Sequence, residues 1–163
     1  MLNLLRGLAF LFLGLPACSS GYERNVTERE VPPAVLQAFK AAYPNAEVRG
    51  YAEEAEGGQK LYEISFTHKG KRIDIAYASD GKLLELEETL DLADLPQAAH
   101  DEIKNTFKDA TIKRVERIVK GERTGYEAKL DVPENGAVKR YELVFDQDGK
   151  LLKKKVEQGE DEE

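Results

Sequence analysis

The pentapeptide DGKLL stands at residues 80–84 and again, letter for letter, at 148–152. Asp-Gly is a common turn dipeptide, so the flanks must decide whether the recurrence has meaning. Working outward, VPPAVLQAFKAAYPNAEV (31–48) lies on LPQAAHDEIKNTFKDATI (95–112) at an offset of 64. Pro32 meets Pro96, Phe39 meets Ile103, Tyr43 meets Phe107, Ala46 meets Ala110, and Val48 meets Ile112. The same offset sets Tyr62-Glu63 on Tyr126-Glu127. It then becomes 68, with Arg72 on Arg140, Ile75 on Leu143, Tyr77 on Phe145, and DGKLL on DGKLL. The extra residues of the second copy fall around PENG (133–136), a turn sequence where insertions are tolerated. The hydrophobic spacing agrees across the whole unit, so the chain is an internal duplication.

Each copy has the same local grammar. A proline suits the first turn of a helix. Val31, Val35, Phe39 and Ala42/Tyr43 recur at helical spacing, as do Ala99, Ile103, Thr106 and Phe107. Pro44-Asn45 ends the first helix. Period-two segments follow. Tyr62, Ile64 and Phe66 alternate with Glu63 and Ser65, and Ile73, Ile75 and Tyr77 alternate with Asp74 and Ala76. The second copy offers Tyr126, Ala128, Leu130 and Tyr141, Leu143, Phe145. HKGK (68–71) and SDGK (79–82) read as hairpin turns. A less regular strand joins helix to hairpin near 46–53 and 110–119. A final strand follows each DGK, with Leu84 and Leu86, or Leu152 and Val156, expected to point inward. The expected fold class is α+β: two tandem α-β-β-β-β units, each helix on one face of an antiparallel sheet, the other face open to solvent. Repeat 1 is placed at 31–94, repeat 2 at 95–157, and an acidic tail at 158–163.

Ahead of the repeats, the segment reads as targeting information. MLNLLRG carries one cation, Arg6, and LAFLFLGLPA is shorter than the ~18–20 apolar residues of a spanning helix. It ends at LPACSS, which resembles the lipobox of bacterial lipoproteins, with Leu15, Ala17 and Cys18 in the required places. Residues 1–17 are thus expected to be a lipoprotein signal peptide, and Cys18, the one cysteine of the chain, the lipidated residue. The resemblance further implies an outer-membrane address facing the periplasm, because Ser19 rather than Asp follows the cysteine. Residues 18–30 are expected to be the lipidated Cys and a flexible polar tether. Asn25 opens a glycosylation sequon that carries little meaning in such a protein.

The duplicated marks resemble the PepSY-like, beta-lactamase-inhibitor-like periplasmic family. Those marks are Val31-Pro32 with Tyr43, Tyr62-Glu63, and Tyr77 to Leu84. Their second set is Leu95-Pro96 with Phe107, Tyr126-Glu127, and Phe145 to Leu152. The resemblance spans about residues 31–157. It implies two helix-on-sheet units and non-catalytic binding. Secreted inhibitors of beta-lactamase with this fold rely on disulfides, which a chain with one Cys cannot form internally.

The formal net charge of −7 argues against nucleic acid. Catalytic constellations are scarce. His68 falls in an expected hairpin turn and His100 beside the apolar stripe of the second helix. No GxSxG or HExxH surrounds them. DQDGK (146–150) fails as a calcium loop because Gly149 is fourth from Asp146, not sixth. No metal and no cofactor is expected.

The open sheet face is the remaining candidate. Glu63, Ser65, Arg72, Asp74, Glu85 and Glu87 belong to the first copy. Glu127, Lys129, Arg140, Glu142, Lys153 and Lys155 belong to the second. All twelve are expected to face outward as a polar docking surface, acidic at the first copy's edge and basic at the second's. The resulting expectation is a lipid-anchored periplasmic binding module, not an enzyme. Its partner would be a protein or peptide, and its effect the inhibition or regulation of an envelope enzyme or peptidase. The alternative is a small-ligand or metal-binding envelope lipoprotein.

Overall fold

A computed structural model describes residues 22–56 and 59–157. Cys18, the signal segment and the acidic tail 158–163 lie outside the described residues. The architecture is α+β, built from antiparallel strands and two α-helices among the described residues. The chain divides between Leu84 and Glu85 into two compact units.

The first unit runs β1 (Tyr22–Val26), a 3-10 turn η1 (Glu28–Glu30), α1 (Pro33–Ala42), β2 (Glu47–Glu56), β3 (Gln59–His68) and β4 (Lys71–Ala78). Its strands pair in chain order. The second unit runs β5 (Leu83–Thr89, beginning two residues before the division), η2 (Leu92–Asp94), α2 (Gln97–Thr106), β6 (Thr111–Lys120), β7 (Arg123–Glu134), β8 (Ala137–Asp146) and β9 (Leu151–Glu157). Its strands also pair in chain order.

The duplication extends to the register. Tyr62 stands opposite Tyr77 as Tyr126 stands opposite Phe145. A bulge falls between Val48 and Gly50 in β2, and at the equivalent place, between Ile112 and Arg114, in β6. Each helix is preceded by a proline at its N-cap, Pro32 or Pro96, whose missing N–H is no loss at a helix start. Each plugs one apolar stripe onto its sheet. In the first unit Val35 and Phe39 of the helix and Ile64, Phe66 and Ile75 of the strands are all buried. The Phe39 and Phe66 rings meet edge-on at 5.0 Å, and Tyr43 closes on Phe66 at 4.7 Å. In the second, Ala99, Ile103 and Phe107 share a cluster with Ala128, Leu130, Tyr141, Leu143 and Phe145. Thr106, expected on that stripe, is exposed, as is Ala42 in the first helix.

The repeated DGK segment makes the same turn twice. Gly81 N–H donates to the Ala78 carbonyl and Gly149 N–H to that of Asp146. Both glycines adopt positive φ, +86° and +83°. Both also press against the first turn of their own unit's helix. A Cβ on Gly81 would sit 2.7 Å from the Ala34 carbonyl oxygen, and one on Gly149 would sit 2.8 Å from the Ala99 nitrogen. The pentapeptide is therefore the joint at which the hairpin end meets the helix start. The Asp146 carboxylate accepts the backbone N–H groups of Asp148 and Lys150.

Two expectations need correction. Residues 22–30 of the expected tether form β1 and η1. Backbone pairing with β2 orders them, together with the Tyr22 and Arg24 contacts to Glu53 and a capping box between Thr27 and Glu30. Each unit accordingly opens with a strand and a 3-10 turn, and η2 follows η1 at the repeat offset. The expected α-β-β-β-β order recurs along the chain, as α1-β2-β3-β4-β5 and α2-β6-β7-β8-β9, with β1 standing ahead of the first. Finally, Leu152 does not point inward. Val144 pairs with Lys153 and Phe145 with Leu151, so Leu152 is the extra residue of a bulge and is 53% exposed. Leu151 packs on the core instead, and Val156 is 46% exposed.

Candidate functional site

Alternation along a strand puts Glu63 and Ser65 of β3 on the face opposite α1. The register adds Ala52 and Glu54 from β2, and Asp74 and Ala76 from β4. This face was expected to be solvated. Its acids are instead withdrawn: Glu63 is 5% exposed, and Glu54 and Ser65 are buried as well. Ala52 and Ala76 stand directly opposite Glu63 on the two neighbouring strands. The Ser65 hydroxyl lies within hydrogen-bonding reach of Asp74 Oδ1 and of Glu63 Oε1, the latter at 3.2 Å. Burial first, then the charges of Asp74 and Glu54, push the Glu63 carboxyl up to about 8. Arg72, on the same face, is exposed.

The second unit repeats the theme with different neighbours. Glu127 stands directly opposite Glu116, and Glu142 opposite Lys129. Glu116, Glu127 and Glu142 are buried. Lys129 reaches Glu127 at 3.5 Å and Arg114 reaches Glu116 at 3.0 Å. Burial raises the Glu127 carboxyl to about 7, helped by Glu142 and opposed by Lys129. Lysine replaces Ser65 at the equivalent position, which accounts for the smaller rise. Glu85 and Glu87 of β5 are also buried, and Lys120 holds Glu85 at 3.0 Å. Arg140, Lys153 and Lys155 are exposed.

Of the twelve sequence-predicted residues, six are therefore buried acids or hydroxyls: Glu63, Ser65, Glu85, Glu87, Glu127 and Glu142. The fold joins Glu63 with Ser65 and Asp74, and Glu127 with Lys129 and Glu142. Arg72 and Arg140 stand at the exposed ends of their strands, and Lys153 and Lys155 on β9. Sequence reasoning missed Glu54, Glu116 and Arg114, because the strands that carry them had been read only as irregular.

On the helix-facing side of the first unit, Glu53 is a different kind of acid. Tyr22, Arg24, Lys60 and Tyr62 all donate to it. The Tyr22 hydrogen bond leads the causes that hold its carboxyl at about 2, against the cost of burial. This cluster ties β1 and β3 to β2.

No group of three or more His, Cys, Asp or Glu among the described residues is arranged to hold a metal ion. No described helix is long and apolar enough to cross a membrane. His68 rests edge-on against Tyr43 at 5.6 Å.

No curated protein matches the chain. Solved structures share its fold. A "BLIP-like protein" of Bacteroides fragilis is 21% identical, with a TM-score of 0.60 over 81% of this chain and 91% of that one. A "putative periplasmic" protein of Bacteroides eggerthii is 19% identical, with a TM-score of 0.64 over 77% of this chain and 88% of that one. The family model described as "Putative beta-lactamase-inhibitor-like, PepSY-like" matches twice, at residues 20–85 and 60–153. With both copies of the duplicated unit covered in this way, the chain belongs to the PepSY-like, beta-lactamase-inhibitor-like family.

Proposed function

We propose that the protein is a non-catalytic binding module of the bacterial cell envelope, anchored through lipid on Cys18, whose partner is a protein or peptide. The periplasmic designation of a similarly folded protein supports the address. The lipobox-like LPACSS supports the anchor, and Ser19 favours the outer membrane over the inner. One observation carries the binding reading: exposed Lys153 and Lys155 make no ion pair among the described residues, although the chain is strongly acidic. They share the face opposite α2, across from Val144 and Glu142. Unpaired surface cations contribute little to stability and much to steering an acidic partner.

The test is the double variant Lys153→Glu/Lys155→Glu. Partners are first captured from envelope extract by the parent chain, and association is then followed at two salt concentrations. The variant is expected to fold normally and to associate more slowly, with the deficit shrinking at high salt. Equal association rates at low salt would move the site away from β9. Loss of the anchor is tested separately: Cys18→Ser should leave the membrane fraction and lose labelling by a fatty-acid probe, and unchanged labelling refutes lipidation.

A further inference from the structure

We propose that Glu63 and Glu127, the acids of the duplicated Tyr-Glu pair, are proton-binding sites through which each unit's sheet is clasped in acid and loosened as the pH rises. The geometry around Glu63 carries this first. One hydroxyl, Ser65, faces two carboxyl oxygens, Glu63 Oε1 and Asp74 Oδ1. A hydroxyl has one hydrogen and can serve only one acceptor. If Glu63 holds a proton, both contacts are satisfied: Ser65 donates to Asp74, and Glu63 donates to Ser65 Oγ. Glu63 Oε2, on a side chain buried to 95%, is met by no donor. Its neighbours from the packed strands are Asp74 of β4 and Glu54 of β2. Glu23 of β1 pairs opposite Glu54. The cations of that face, Arg72 and Arg49 at the β2 bulge, are exposed. No cation is among the causes that shift Glu63, and among the described residues an ionised carboxylate there would have only the Ser65 hydroxyl, which it shares with Asp74.

The second unit buries the equivalent acid, Glu127, with Lys129 beside it at 3.5 Å in place of a hydroxyl. Glu127 faces Glu116 and Arg114 of β6, Lys129 of its own strand, and Glu142 of β8. Thr89 of β5 pairs opposite Glu116, and Lys153 and Lys155 of β9 lie beyond β8 in an exposed position. Arg114 is turned to Glu116. Glu142 Oε1, on a side chain that is 1% exposed, has no donor.

The direction of the effect follows from proton counting. Both groups have folded values raised above an unfolded value near 4.5. The folded chain thus binds more protons than the unfolded one above that pH. Stability is full below about 4.5 and is lost as the pH climbs toward about 7 for Glu127 and about 8 for Glu63.

Two measurements on the full chain test the proposal. Carboxyl-carbon magnetic resonance should show Glu63 and Glu127 titrating above about 6, against the usual carboxylate range near 4. A midpoint below that for either residue overturns the assignment in its unit. Urea unfolding across pH 5 to 8 should show the unfolding constant rising by up to about tenfold per pH unit for each group. Glu63→Gln/Glu127→Gln, which imitates the protonated pair, should flatten that dependence. A double variant with the parent's pH slope overturns the proposal. The titration of the parent stands whether or not the variant folds.

Discussion

Alanine at Gly81 or Gly149 should weaken the fold far more than alanine at Gly70 or Gly136, although all four adopt positive φ near +80° to +86°. An L side chain in that backbone region costs about 1–2 kcal/mol. At Gly70 and Gly136 nothing lies within 4 Å of an added Cβ, so this strain is the whole expected cost. At Gly81 the methyl would lie 2.7 Å from the Ala34 carbonyl oxygen and 3.0 Å from its carbon. At Gly149 it would lie 2.8 Å from the Ala99 nitrogen and 2.9 Å from Pro96 Cβ. Backbone cannot swing aside as a side-chain tip can, so the helix start must shift off the turn. Overpacking of that kind adds about 1–3 kcal/mol. The joint variants should therefore lose about 2–5 kcal/mol, a large part of the stability of a small domain. Urea unfolding of the four single variants at one pH measures the difference. If Gly81→Ala and Gly149→Ala lose no more than Gly70→Ala and Gly136→Ala, the turn does not bear on the helix and the account of the repeated pentapeptide fails.

Phe39→Ala and Ile103→Ala, at equivalent stations of α1 and α2, should each cost about 2–5 kcal/mol in thermal or urea unfolding. Melting like the parent would mean that these side chains do not seat the helices. Glu53 should behave oppositely to Glu63 in acid. Its folded value is depressed to about 2, so its contribution is present above the unfolded value near 4.5 and fades as the pH falls toward about 2. Glu53→Gln should remove that acid-side loss while lowering stability at neutral pH. An unchanged acid limb in the unfolding profile would contradict the hydrogen-bond cluster.

The elements legible in the sequence were those that bury apolar side chains at a regular period. Phe39, Ile64, Phe66, Ile75 and their counterparts announce helix and strand because the core selects them. β1 was invisible for the converse reason. YERNV shows no apolar alternation and is mostly exposed. It is held by main-chain pairing and by polar contacts to Glu53, a residue remote in sequence. β9 misled through a single residue: Leu152 is the extra residue of a bulge, while Lys153 and Lys155 keep the face expected of them, opposite Val144 and Glu142. The polar face was found, but its environment was not. A Glu in a period-two strand reads the same whether water or protein lies beyond it. Only the packed structure shows Glu63, Glu127 and Glu142 shut away.

β5 follows the first DGK turn as the closing strand of one copy, yet it pairs with β6 as the opening strand of the next. β1 opens the first copy in the same manner, and β9 ends the second. In a chain built by repeating this unit, the last strand of one copy would serve as the opening strand of the next. Growth by one copy adds a 3-10 turn, a helix and four strands, and it leaves the chain ending on a strand of the same kind. Such a scheme has no natural stopping point within itself. Any cut meant to isolate one copy should retain β5 with the downstream piece, since severing it from β6 strips that piece of its first edge.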